Sequence, residues 1–189
     1  LPDINPPMAT PNDPDYKPYR RDPETLVRQW AVPGTEGLRH RIGGLEKTDG
    51  KGEVSTDGAN HAKMVEYRRE KVMRLANRLP KQDIFGAPEG DVLVVSWGGT
   101  KGQVREAVKE LVKAGKKVGH AHFTNIMPLP SNTADVLGKF KKIIVCELNS
   151  GQFANYLRMN YPQFQYEKYN KIQGLPFMVS ELVEAINNI

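Results

Sequence analysis

The run Val92-Leu-Val-Val95, followed by Gly98 and Gly99, constrains the fold of this chain more than any other feature. An apolar run without polar alternation predicts a strand buried on both faces, as in a parallel sheet. The two glycines break the strand, because glycine turns tightly at no steric cost. Thr100 and Gln103 have the spacing of a capping box, and Val104, Ala107, Val108, Leu111 and Val112 then follow the i, i+3, i+4, i+7, i+8 pattern of one helical face. Gly115 is placed to end that helix in a left-handed conformation. Residues 91–115 therefore predict a strand–turn–helix unit whose next strand returns parallel to the first.

The rest of the C-terminal half repeats the rhythm. Strands are expected at 117–123, 142–147 and 165–172, and helices at 131–140, 152–160 and around Leu182, Val183, Ile186 and Ile189. The segment Met127-Pro-Leu-Pro130 predicts an extended connection. Alternation of this kind argues an α/β fold, a three-layer α/β/α open and mostly parallel sheet. The N-terminal half reads differently. Residues 1–23 are rich in Pro and Asp, and residues 33–52 are rich in glycine with few apolar side chains, so both predict irregular structure that is less ordered than residues 91–189. A helix is expected over 60–79, with Val65, Val72, Leu75, Ala76 and Leu79 on its apolar face and Pro80 as its stop. Residues 81–90 read as a linker. The expected organisation is 1–88 as an extension, glycine-rich loop and connecting helix, and 89–189 as the α/β domain.

Composition narrows the function. A net charge of +5 over 189 residues suggests nucleic acid, but the basic residues alternate with acidic ones and no basic run is interleaved with aromatics. No apolar segment is long enough for a transmembrane helix. The start, without an initiator Met or signal-peptide anatomy, suggests a fragment or processed product. Cys146 is the single cysteine, which excludes an intrachain disulfide and any all-protein cysteine cluster. Within Ile143-Ile-Val-Cys146 it reads as a buried inert thiol, compatible with a reducing cytoplasm.

Four groups carry possible chemistry. The turn Gly98, Gly99, Thr100, Gly102 stands where a phosphate-binding loop would, at a helix start, yet lacks both the G-x-G-x-x-G and the Walker spacing; a plain strand–helix turn is the alternative. His120 and His122 share a strand face and would begin a metal site, but no further ligands stand at useful spacing. Asn149, in Glu147-Leu-Asn149-Ser-Gly151, lies at a strand C-terminus, where open α/β sheets bind ligands. It would either cap the following helix or contact a neighbouring subunit. Arg39, His40 and Arg41 lie among glycines; arginine pairs bidentately with carboxylates such as that of a 2-oxo acid. A solvated loop is the alternative.

In order and spacing, Gly90-Asp91-Val-Leu-Val-Val-Ser-Trp-Gly-Gly-Thr-x-Gly-x-Val-x-x-Ala-Val, Gly115-x-Lys-Val-Gly, Met127-Pro-Leu-Pro and Val145-x-Glu147-x-Asn149-x-Gly151-Gln152 resemble the C-terminal domain of the alpha subunit of 2-oxoacid:ferredoxin oxidoreductases, the 2-oxoglutarate branch most of all. Upstream, Trp30-Ala-x-Pro33-Gly34-x-x-Gly37-x-x-His40-x-x-Gly43-Gly44-Leu-Glu46-x-x-x-Gly50 and Met64-x-x-x-Arg68-x-x-Lys71 are similar to the end of that subunit's thiamine pyrimidine-binding domain and the helix leaving it. The resemblance implies a fold like the transketolase C-terminal domain. It implies part of an enzyme that oxidatively decarboxylates 2-oxoglutarate to succinyl-CoA, with thiamine pyrophosphate, Mg and iron–sulfur clusters in the whole complex. The implied partners are the beta subunit, the missing N-terminal part of the alpha subunit and ferredoxin. The chain lacks a Gly-Asp-Gly diphosphate motif and cluster cysteines, so it is expected to bind none of these cofactors alone, to be inactive alone and to serve assembly. Arg39, His40 and Arg41 are expected near substrate. Pyruvate or branched-chain 2-oxoacid specificity remains an alternative, as does a free-standing phosphate- or nucleotide-binding module.

Overall fold

A computed structural model describes residues 5–189 of the chain. The first four residues of the Pro/Asp-rich start lie outside the described residues. The chain divides into two compact units, Leu1–Leu75 and Ala76–Ile189.

The second unit is a five-stranded sheet in the order β1-β3-β2-β4-β5. Its elements are β1 (Phe85–Gly86), β2 (Gly90–Trp97), α2 (Lys101–Lys113), β3 (Val118–Phe123), α3 (Thr133–Leu137), β4 (Phe140–Glu147), α4 (Gln152–Asn160), β5 (Tyr166–Asn170) and α5 (Val179–Asn187). The pairs β2/β3, β2/β4 and β4/β5 are parallel, and only β1 runs antiparallel, against β3. Side chains alternate across a strand, and the two faces bury separate clusters. Val92, Val94, Val118, Ile144 and Cys146 pack with α2 and α5 residues such as Val104, Val108, Leu111, Leu182 and Ile186. Leu93, Val95, Phe123, Ile143 and Val145 pack with Val136, Leu137, Phe153 and Leu157 of α3 and α4. Each fully buried aliphatic side chain stabilises by about 1.5–3 kcal/mol, which is why an apolar run without alternation becomes the central strand.

Three local expectations change. The 81–90 segment is no linker: Phe85 and Gly86 pair with His120 and Gly119, making it the edge strand. Gly86 has φ +89, and a Cβ there would meet Val118 O at 2.7 Å, so this approach needs glycine. The capping box at α2 does not form. The Thr100 hydroxyl donates to Trp97 O at 2.7 Å, within a 3-10 turn over Gly98–Thr100 that precedes the helix, and Gln103 Oε1 is buried without a partner. Finally, Val112 lies at the rim of its helix face, partly exposed.

The first unit contains the helix α1 (Gly58–Met73), followed by a 3-10 turn over Arg74–Asn77. The helix begins at Asp57, whose Oδ1 accepts from Asn60 N at 2.7 Å, and its α-helical part ends six residues before Leu79. Met64 is its buried residue; of the expected apolar face Val72, Ala76 and Leu79 are half-buried, while Val65 and Leu75 are exposed. The remainder is irregular, pinned by isolated bridges such as Tyr19↔Gly50 and Lys47↔Val54. Ion pairs do much of the pinning. Arg21 Nη1 meets Asp49 Oδ1 at 2.9 Å and Lys63 Nζ meets Asp49 Oδ2 at 2.9 Å. Burial opposes the Asp49 charge, but Lys63 and Arg21 together hold its carboxyl below the usual range.

Candidate functional site

The C-terminal edge of the parallel strands is one candidate. The chain leaves β2 toward α2 on one face and leaves adjacent β4 toward α4 on the other, which is the topological switch where open α/β sheets take ligands. Glu147 ends β4 there, buried to 1% exposure. Its Oε1 accepts from Trp97 Nε1 at 3.1 Å and Phe153 N at 2.8 Å, and Oε2 accepts from Ala154 N at 3.0 Å. The carboxylate thus satisfies amides in the first turn of α4 and ties that helix to the end of β2. Asn149 Oδ1 accepts from Gly151 N and Gln152 N at 2.8 and 3.0 Å, and Gly151 supplies the left-handed residue, φ +88, that starts the helix. Gly98, Gly99 and Gly102 are exposed, and Thr100 is buried with its hydroxyl committed to Trp97 O.

The second candidate is a groove of about 740 Å³ in the first unit, lined by the 27–40 segment together with Pro18, Ile42 and Lys71. Arg39 and His40 line it; Arg41 does not. His40 Nδ1 lies 2.8 Å from Leu38 O, so a neutral His40 donates there and leaves Nε2 as an acceptor. The ring stands edge-on to Tyr16 at 5.9 Å, whose hydroxyl is buried without a partner and whose pKa burial raises. Trp30 and Val32 bring apolar surface to the groove, exposed to 63% and 57%. Arg28, Arg39 and Lys71 make it positive against the single carboxylate of Glu36, a lining suited to an anionic group next to an apolar one.

The third candidate is the histidine pair His120 and His122, joined by a residue that sequence reasoning did not single out, Ser96. Ser96 Oγ lies 2.7 Å from His120 Nε2 and 2.8 Å from His122 Nδ1. The signal was present: Ser96 is the polar residue closing an apolar strand, and in parallel register it stands beside His122. Burial first, then the charges of His122, Arg105 and Lys101, pushes the His120 pKa down to about 3, and burial lowers that of His122.

Metal and cluster ligation need converging His, Cys, Asp or Glu side chains. Among the described residues no three His, Cys, Asp or Glu side chains come together as a metal site. Cys146 is wholly buried in β4, and burial followed by Glu147 pushes its thiol up to about 12, so it is no cluster ligand. Among the described residues no helix is long and apolar enough to cross a membrane.

Similarity to known proteins agrees with this architecture. Residues 90–182 match the family Pyruvate:ferredoxin oxidoreductase core domain II. Over 96% of its length the chain is 39% identical to 2-oxoglutarate oxidoreductase subunit KorA of Mycobacterium tuberculosis, covering 28% of that protein. Over 92% it is 31% identical to 2-oxoacid:ferredoxin oxidoreductase 1, subunit alpha, of Aeropyrum pernix, again covering 28%. The chain superimposes with a TM-score of 0.86 and 29% identity on the 2-oxoglutarate:ferredoxin oxidoreductase of Magnetococcus marinus solved with 2-oxoglutarate, coenzyme A and succinyl-CoA bound, covering 96% of this chain and 32% of that one. The chain thus spans less than a third of these relatives, and it matches them across both of its units. It is similar to 2-oxoacid:ferredoxin oxidoreductase alpha subunits along almost its whole length, with residues 90–182 matching core domain II.

Proposed function

We propose that the chain is the C-terminal segment of the alpha subunit of a thiamine-pyrophosphate-dependent 2-oxoglutarate:ferredoxin oxidoreductase of the cytoplasm. The observation that carries this reading is the 39% identity running through both units to a 2-oxoglutarate oxidoreductase subunit. When bound in the complete enzyme, thiamine pyrophosphate supplies a carbanion sink for decarboxylation; in this reading it, Mg and the iron–sulfur clusters are held by other parts of the complex, and the described residues here bring together no metal or cluster ligand set. In this reading the segment's own residues have two tasks. The second unit assembles against the beta subunit and the rest of the alpha subunit. In the first unit, the groove holding Arg39 and His40 lies near substrate, with the Arg39 guanidinium and the nearby exposed Arg41 as carboxylate partners.

The test uses the complete complex, assayed anaerobically for CoA-dependent reduction of a viologen dye. 2-Oxoglutarate should support reduction and pyruvate should not; the reverse would move the protein to the pyruvate branch. Arg39→Ala should raise the KM for 2-oxoglutarate by about 10-fold, the loss of one charge-assisted pair of about 1.4 kcal/mol, and Arg41→Ala should raise it less. Unchanged kinetics in both variants would remove the substrate role of this loop while leaving the family untouched.

A further inference from the structure

A cavity of about 360 Å³ in the second unit opens beside the Ser96 cluster and takes no part in the function proposed above. His120 and His122 of β3, Lys101 and Arg105 of α2, and Lys81 and Asp83 from the segment before β1 reach its wall. We propose that this cavity binds a small oxyanion, a phosphate or carboxylate group, held by Lys101, Arg105 and His122, whose tautomer Ser96 and His120 set.

Charge points this way first. Three cations face one carboxylate. Lys81 is engaged with Ser131 Oγ at 2.7 Å, and Gln82 Nε2 approaches Asp83 Oδ1 at 3.4 Å. Neither Lys101 nor Arg105 is ion-paired to a carboxylate among the described residues. The Arg105 guanidinium lies over the Phe85 ring at 4.1 Å, a stacking that fixes its plane and leaves its edge donors available. Two uncompensated cations beside a cavity disfavour a metal ion there, even though two imidazoles converge, and favour an anion.

Proton bookkeeping at Ser96 agrees. One hydroxyl carries one hydrogen, so Ser96 donates to one imidazole and accepts from the other. When it donates to His122 Nδ1, His122 carries its proton on Nε2, across the ring from Ser96, and offers a neutral donor at the cavity wall. His120 then donates Nε2–H to Ser96 Oγ. An anion selects this pair of tautomers over the reverse pair. The helix start reinforces it: Thr100 directs its hydroxyl back to Trp97 O, so α2 begins without a side-chain cap, and its first turn holds no acidic residue.

The experiment records imidazole nitrogen and carbon-bound proton resonances of the full chain by NMR. There are four histidines, and His40 and His61 lie in the other unit. Inorganic phosphate and, separately, malonate are titrated at constant ionic strength against chloride. The expected result is a saturable shift at His120 and His122, with a Kd of about 1 mM for at least one anion and His122 in the Nε2–H form. The double substitution Lys101→Gln, Arg105→Gln, on two exposed residues without ion pairs among the described residues, should weaken binding at least about 10-fold. Phosphate alone or malonate alone supports the site and names its chemistry. No saturable shift with either anion, a shift reproduced by chloride, unchanged affinity in the double variant, or Zn²⁺ binding at these rings without anion binding would overturn the proposal.

Discussion

Glu147→Gln tests whether the end of β4 organises the switch region. The substitution keeps shape and removes one acceptor. With its carbonyl in the place of Oε1, a glutamine retains the bonds from Trp97 Nε1 and Phe153 N. Its NH₂ then faces the Ala154 N–H, now 3.0 Å away and without an acceptor. A hydrogen bond to a charged group contributes about 1.5–3 kcal/mol, and an orphaned buried donor costs about 1–3 kcal/mol. Relief of the buried charge's desolvation offsets part of that. The balance is a loss of about 2–4 kcal/mol. For a unit of this size, with a urea dependence of about 2 kcal/mol per molar, the unfolding midpoint should fall by about 1–2 M. Trp97 reports the transition directly in a Trp30→Phe background, because these are the two tryptophans of the chain. Glu147→Ala should lose at least as much, since three donors are then stranded. A midpoint shift for Glu147→Gln worth less than about 0.5 kcal/mol would refute the reasoning, because surface-like changes fall in that range.

Gly119→Ala should destabilise the second unit by at least about 2 kcal/mol, seen as an earlier thermal transition, because a Cβ there would lie 2.4 Å from Phe140 Cζ and 2.7 Å from Ala87 O. Gln103→Leu should be neutral or stabilising by up to about 1 kcal/mol in urea titrations, because the amide oxygen it removes is buried without a donor. Stability should also fall with acid before carboxylates protonate. His120 has its pKa lowered from 6.5 to about 3, so between those values the unfolded chain binds a proton that the native state refuses. That contribution is complete above 6.5 and declines by about 1.4 kcal/mol per pH unit below it, and His120→Gln should flatten urea-derived stability between about pH 7 and pH 5.

The second unit was legible because its signals are local and repeated. An apolar run, a glycine turn and a 3.6-residue stripe name β2, α2 and their parallel return without tertiary information, and Cys146 in an apolar run is buried as expected. What failed locally was competition between equivalent partners. Thr100 had two places for its hydroxyl, a forward amide or the carbonyl of Trp97, and the 3-10 turn brought the carbonyl nearer. β1 was missed because two residues carry no periodicity, and its pairing depends on Gly119 and Gly86 letting two backbones approach. Glu147 was visible as a polar residue at a strand end, but its three donors come from 50 residues before it and from six and seven after it. The Ser96–His120–His122 cluster needed the parallel register before its members became neighbours.

The first unit was illegible for a different reason, and that reason bears on what the segment does. Its few wholly buried apolar side chains include Leu26, Leu38 and Met64, whereas Trp30, Val32, Ile42, Leu45 and Val54 are exposed. Charge holds it instead: Glu46 accepts from His61 and Arg68 across 15 and 22 residues, and Arg74 donates to the carbonyls of Pro23 and Glu24. Ion pairs at an exposed surface contribute about 0–1 kcal/mol each, so they set the path of a loop without supplying a core. A loop with a fixed path and outward-facing apolar groups is suited to be covered by another surface. The longer relatives, of which this chain spans 28%, contain more than enough chain to provide one. Hydrophobic periodicity fails in this unit because most of its large apolar side chains face outward instead of into a core of its own.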